Sequence, residues 1–138
     1  MKRVLSTVAA GIVAATSLTL ATPSPAAAFG QETLGCRYAP GYVFTFDQYC
    51  TNQTAANTYT VGFLMENLSG SYTFSWSLSG GYQSIYAGCT STSTSCAVTV
   101  NGRADSQVTA TVTYYQNGQS ATRTSIAVTN AVCGSELC

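Results

Sequence analysis

The chain contains no histidine, and its single lysine is Lys2, so beyond Arg3 the only cations are Arg37, Arg103 and Arg123. A serine or cysteine nucleophile needs a base within hydrogen-bond reach, and the main part of the chain has neither imidazole nor amine to serve as one. Charge of either sign is scarce, at 7% of residues. With no cluster of Lys and Arg to neutralise phosphates, nucleic acid is excluded as a partner. Zinc is excluded by the missing histidine and by the lack of close Cys-x-x-Cys pairs. No Asp-rich loop offers calcium a converging set of oxygens, and no Gly-rich phosphate loop is present, so neither a metal nor a cofactor is expected. Glycoside hydrolysis needs two carboxyl groups facing one another across a cleft. Asp47 and Glu66 sit near strand ends and Asp105 in a turn, but no motif surrounds any of the five carboxylates, and they read as solvated surface charge. The expectation is a protein that is not an enzyme.

The first residues carry what charge the rest lacks. Lys2 and Arg3 precede an apolar run from Val4 to about Leu20, followed by Pro23, Pro25 and Ala26-Ala27-Ala28. A basic start, an apolar middle and an Ala-x-Ala end predict a secretory signal over residues 1–28, cleaved after Ala28. The run is interrupted by Ser6, Thr7, Thr16, Ser17 and Thr19 and is short for a membrane span, so no membrane insertion is expected after cleavage. The pair Gly35-Cys36 superficially suggests lipidation, but Thr33-Leu34 is a poor lead-in and polar Gln31-Glu32 separates it from the apolar run. Removing 28 residues from 138 leaves 110, one small extracellular domain over 29–138 with net charge −2 from three arginines and five carboxylates.

That domain holds Cys36, Cys50, Cys89, Cys96, Cys133 and Cys138. An even count in an exported chain predicts three disulfides. Spacing favours neighbours, Cys36 with Cys50, Cys89 with Cys96 and Cys133 with Cys138; the main rival joins Cys36 or Cys50 to the C-terminal pair. In the chain-entropy model the first loop is worth about 3 kcal/mol and the shorter ones about 2 each, a large share of a typical stability of about 5–15 kcal/mol.

Hydrophobic alternation marks the strands. Ser71–Leu78 places Tyr72, Phe74, Trp76 and Leu78 at every second position, and the lone Trp76 is expected to plug the core. Tyr42–Phe46 reads as a first short strand after an irregular arm from Phe29 to Gly41, with a loop over Asp47–Asn57. Thr58–Met65 turns Tyr59, Val61, Phe63 and Met65 to one face. Tyr82–Ala87 reads as an edge strand, Ala97–Val100 as a strand with Val98 and Val100 inward, and Gln107–Tyr115 as one with Val108, Ala110, Val112 and Tyr114 alternating. Asn117-Gly118 predicts a type I′ hairpin, because both central residues need positive φ. Ser120–Thr129 returns with Ile126 and Val128 expected inward. About seven short strands and no helix predict an all-β, disulfide-stapled antiparallel β-sandwich. Its expected core is Trp76, Phe74, Phe63, Val61, Val98, Val112, Tyr114 and Ile126.

The run from FSWSLSGG through SIYAGCTSTSTSCAVTV to VTATVTYYQNGQSATRTSIAV resembles bacterial secreted immunoglobulin-like domains, including the PKD-like ones. The shared elements are an aromatic-x-Trp strand followed by Gly-Gly, a V-x-V strand, a V-x-A-x-V-x-Y strand and a Gly-bearing hairpin, over roughly Thr58 to Val132. The chain departs from the PKD pattern in lacking an acidic Gly-Asp-Gly turn after the tryptophan strand. The resemblance implies a binding, spacer or adhesion module, with a protein or glycan as ligand. Exposed tyrosines suit such recognition because a rigid amphipathic ring gives contact area at low entropy cost, which makes Tyr82, Tyr86 and Tyr115 the candidate binding residues. Tyr38, Tyr42 and Tyr49 cluster near the first disulfide. The polar loop CTSTSTSC reads as a stapled connection. Two alternatives stand beside the binding module: a small protease inhibitor presenting the Cys89–Cys96 loop, and a carrier apoprotein with a deep apolar cleft for a small ligand.

Overall fold

The computed structural model describes residues 29–41 and 45–138. The export signal expected over 1–28 and most of the strand expected at Tyr42–Phe46 lie outside the described residues. The remaining two of that segment, Thr45 and Phe46, are not in a strand.

Two four-stranded sheets are stacked face to face. The strands are β1 (Thr33–Ala39), β2 (Tyr49–Thr51), β3 (Thr58–Glu66), β4 (Thr73–Gly80), β5 (Tyr82–Gly88), β6 (Ser95–Asn101), β7 (Ser106–Gln116) and β8 (Gln119–Thr129). A small C-terminal hairpin follows, β9 (Val132–Cys133) with β10 (Glu136–Leu137). One sheet runs β1-β3-β6-β5 and the other β2-β8-β7-β4. This is the immunoglobulin-like arrangement: β1, β3, β6 and β5 take the places of strands A, B, E and D, and β4, β7 and β8 those of C, F and G. The fold class is therefore the one the alternation predicts, an all-β antiparallel sandwich with one exception, since β2 pairs with β8 in parallel.

The first strands differ from the sequence reading. The expected irregular arm is β1, whose Leu34, Cys36 and Tyr38 point inward in strict alternation. Its mixed composition, with Cys36, Pro40 and Gly41, disguised it. Gly35 is there for a reason, since a Cβ at that position would lie 2.5 Å from the Phe46 Cβ. Inside the expected loop, Tyr49–Thr51 forms β2 by pairing with Ile126–Val128 of β8, and its Cys50 is bridged to Cys36 of β1. That bridge joins the two sheets.

The core is filled by Tyr59, Val61, Phe63, Val98, Val100, Val108, Val112 and Tyr114, none of them exposed to solvent. Full burial of each such side chain contributes about 1.5–3 kcal/mol, so these alternating positions drive the stacking. Two expected core residues are displaced. Trp76 is only half-buried and sits at the rim, packing on Phe74, while its indole N–H donates to the Ser93 carbonyl at 3.0 Å. β4 is the outermost strand of its sheet, and the residue it sends into the core is Phe74. Ile126 and Val128 face outward, and Ser125, Ala127 and Thr129 are the buried residues of β8. The hairpin dictates this: Asn117 and Gly118 both have positive φ, Gln116 faces Gln119, and the register then sets Val108 opposite Ala127 and Ala110 opposite Ser125. Directly opposed residues share a face, so inward Val108 and Ala110 carry Ala127 and Ser125 inward with them.

All six cysteines are bridged, Cys36–Cys50, Cys89–Cys96 and Cys133–Cys138. The neighbour pairing therefore holds over the C-terminal rival. Three disulfides in a small domain are compatible with an extracellular location.

Candidate functional site

Register brings together a row of residues that look unrelated in sequence. Arg37 on β1 lies opposite Gly62 on β3, Gly62 opposite Ala97 on β6, and Ala97 opposite Ala87 on β5. These four share the outer face of one sheet, and three of them have no side chain beyond Cβ. With strands about 4.8 Å apart, such a row leaves a shallow trough across the sheet.

Its walls are aromatic. On one side Phe46 lies across Gly35 and reaches Gly62, and the Arg37 guanidinium stacks over its ring at 4.7 Å from the centroid. On the other side stands Tyr86, 69% exposed. The open groove so formed is about 340 Å³, at the lower end of the range for ligand sites. Thr60 and Ser95 add hydroxyls at its border. The chemistry on offer is apolar contact, ring stacking and a few uncharged hydrogen bonds, with Arg37 the one cation lining it.

Two β-bulges in β5, between Tyr82 and Ser84 and between Ile85 and Ala87, explain why Tyr86 stands free. They break the alternation, so that the consecutive residues Ile85 and Tyr86 are both exposed, at 57% and 69%. The three tyrosines singled out from sequence are thus placed differently. Tyr86 borders the trough, Tyr82 is half-buried against the core, and Tyr115 is exposed on the outer face of the opposite sheet. Of the tyrosines near the first disulfide, Tyr49 is exposed and Tyr38 buried, while Tyr42 lies outside the described residues.

The CTSTSTSC loop acts as a connection. Its carbonyls at Ser91, Ser93 and Thr94 accept hydrogen bonds from Phe74 N–H, Trp76 Nε1–H and Met65 N–H, all within 3.0 Å. One end of the sandwich is closed by these bonds and by the Cys89–Cys96 bridge.

Two buried polar clusters escaped the sequence reading. Asn52 is buried and donates through Nδ2 to Tyr59 OH and the Asn130 carbonyl, each at 2.9 Å, while its Oδ1 accepts from Asn130 N–H at 2.7 Å. Tyr59 OH in turn accepts from Ala56 N–H and donates to the Thr54 carbonyl. Glu32, counted from sequence among the surface charges, is only 2% exposed. Its carboxylate accepts from Tyr72 OH at 2.6 Å, Gly30 N–H at 2.7 Å and Tyr114 OH at 3.0 Å. Burial pushes its pKa up. The Tyr72 bond, the backbone N–H groups of Glu32 and Gly30 and the Tyr114 bond outweigh that and hold it below the ordinary carboxylate value. Burial and the same bonds push Tyr72 and Tyr114 above the ordinary tyrosine value. Tyr72 and Tyr114 lie 40 and 82 residues from Glu32 along the chain, so no local motif announces the cluster.

Among the described residues no three of Cys, Asp and Glu converge as a metal site, and no helix is long and apolar enough to cross a membrane. Asp105 is occupied structurally, accepting from Ala131 N–H at 2.7 Å. Comparison with protein-family models, with curated proteins and with solved structures finds no match to the chain.

Proposed function

We propose that this is a secreted, non-catalytic binding module of immunoglobulin-like form, whose ligand seats in the trough over Gly62, Ala97 and Ala87. The supporting observation is that row of side-chain-poor residues, flanked by exposed Tyr86 and by the Arg37–Phe46 stack. Tyr86, exposed beside a groove that Phe46 borders on the other side, offers the kind of apolar surface that marks an interaction site. The ligand class that suits it is uncharged: a glycan ring or a neutral peptide segment from a protein partner. The PKD-like resemblance agrees with a recognition role.

The test immobilises the exported form and challenges it with polysaccharides and with culture-medium proteins, alongside three variants. Tyr86→Ala removes a wall, Ala97→Leu fills the floor, and Tyr115→Ala alters the other sheet. The expected result is at least a tenfold loss of retention for the first two and none for the third. Retention that survives both trough variants rejects this site, and loss confined to Tyr115→Ala moves the ligand to the opposite sheet.

The inhibitor alternative draws on one observation, the rigid anchoring of the exposed Cys89–Cys96 loop through its own carbonyls. A panel of proteases incubated with the protein separates the two, since an inhibitor lowers the activity of at least one and the trough variants leave that unchanged.

A further inference from the structure

Each cation among the described residues is occupied away from the Glu32 carboxylate. Arg37 stacks on Phe46, and Arg103 bonds to Asn57 Oδ1. Arg123, the nearest to Glu32, spends Nε on the Glu32 carbonyl at 2.8 Å, NH2 on the Gly30 carbonyl at 2.6 Å and NH1 on the Thr122 carbonyl at 3.1 Å. The carboxylate itself is left buried, ionised and held only by neutral donors. A carboxylate offers about four lone-pair positions, and three are filled. A cation delivered to the fourth position adds a charge-assisted bond to a carboxylate that is already held ionised, and so stabilises the fold.

We infer that this cation is the chain's own α-ammonium, formed when the leader is removed after Ala28 and Phe29 becomes the first residue. The inference rests on that cleavage reading. Hydrolysis of the Ala28–Phe29 bond consumes one water, leaves the carboxyl on Ala28 and frees an amine on Phe29 that takes up a proton. A neutral amide nitrogen is thereby replaced by a cation at a place already fixed. Gly30 N is 2.7 Å from Glu32 Oε2, and one residue separates successive backbone nitrogens by no more than about 3.6 Å, so the Phe29 nitrogen lies within about 6 Å of the carboxylate. The Phe29 ring is anchored against Tyr114, with centroids 5.5 Å apart, and packs on the core. Small rotations of one residue then bring ammonium and carboxylate together. Leader removal and completion of the fold become coupled: the precursor lacks the pair and the exported form has it.

The groups facing this position are the Glu32 carboxylate, the Tyr72 and Tyr114 hydroxyls and the Arg123 guanidinium. Both tyrosines titrate above their ordinary value, so the ammonium is the group that changes charge just above neutrality. A folded ammonium pKa raised by its partner gives stability that is complete below the unfolded value of about 7.7–8.0 and is lost as pH rises through the folded value.

The experiment uses the domain 29–138, which contains the whole core and all three disulfides. A chain released from a fusion so that it starts at Phe29 is compared with its N-acetylated form and with a chain retaining Ala28, each also as Glu32→Gln. At pH 6 the free Phe29 form is expected to unfold about 5 °C above the acetylated one, the size that corresponds to roughly one pKa unit on the ammonium. The difference should vanish in Glu32→Gln and fade as pH rises. Equal Tm for free and acetylated chains, or a difference that persists in Glu32→Gln, overturns the inference. Should Glu32→Gln fail to fold, NMR titration of the α-amine in the unaltered chain decides: a pKa above 8 supports the pair, and one at or below 8 refutes it. N-terminal sequencing of the exported protein judges the cleavage reading separately, since a start other than Phe29 overturns the processing role whatever the ammonium does in the defined chain.

Discussion

Replacing Asn52 by alanine tests whether the polar cluster around Tyr59 is structural glue. Asn52 is 1% exposed and makes three hydrogen bonds, to Tyr59 OH, to the Asn130 carbonyl and from the Asn130 N–H. Truncation strands the Asn130 N–H and carbonyl, whereas Tyr59 OH keeps its bonds to Ala56 and Thr54. Asn130 is exposed and the bonds to it are only part-buried, so water takes over part of them and the loss is set at about 1–2 kcal/mol, the lower part of the range of about 1–3 kcal/mol for a group left unsatisfied. For a domain of this size 1 kcal/mol moves Tm by about 4–8 °C, and the expected drop is therefore about 5–10 °C. Urea unfolding followed by the emission of Trp76 gives the free energy, and a lowered midpoint at unchanged slope assigns the loss to the native state. Tyr59→Phe should cost a similar amount, and the double variant less than the sum, because the two side chains share a bond. A loss below about 0.5 kcal/mol for Asn52→Ala, or strict additivity with Tyr59→Phe, would show that the cluster is not coupled as described.

Four further outcomes are expected. Ala127→Leu should destabilise by about 1–3 kcal/mol through overpacking at a fully buried site, while Ile126→Thr on the outer face costs under about 1 kcal/mol, and denaturant midpoints in the reverse order would contradict the register. Removing the Cys89–Cys96 bridge as a double alanine variant should cost about 2 kcal/mol and shift the Trp76 emission, since the bridged loop supplies the indole's acceptor. Tyr38, with burial as the main cause, is pushed up to about 12, against an ordinary value near 10. Tyr38 should therefore resist ionisation until about pH 12, seen as a late step in an ultraviolet titration that Tyr38→Phe removes, and its contribution to stability, full below pH 10, should fall as pH rises from there. Glu32, held below its ordinary value, contributes stability above that value that is lost as pH falls through the folded one, so Glu32→Gln should flatten the acid limb of the Tm profile.

Much of the trough was written in the chain but not readable from it. Gly62 breaks the apolar series of β3, Ala97 opens the Ala-Val-Thr-Val run of β6 and Ala87 is the last residue but one of β5, and each alone is an unremarked small residue. Only lateral pairing across four strands aligns them with Arg37. Tyr86 was picked out correctly as an exposed ring, yet its freedom comes from two bulges that no alternation rule anticipates.

The residue order by itself determined which segments became β3 to β8 and which side of β3, β6 and β7 turned inward, because side chains alternate with period two and water rejects the apolar set. It also favoured the neighbour disulfides, since short loops close most readily, and left the C-terminal rival for the fold to decide. The Asn117-Gly118 turn even contained the register of β8, had its two-residue geometry been carried through to Ala127. Tertiary structure alone decided the rest: the parallel pairing of β2, the rim position of Trp76, the burial of Glu32 beneath two distant tyrosines and the outer trough. Each depends on contacts between residues far apart in the chain, and local periodicity carries no information about which strands become neighbours.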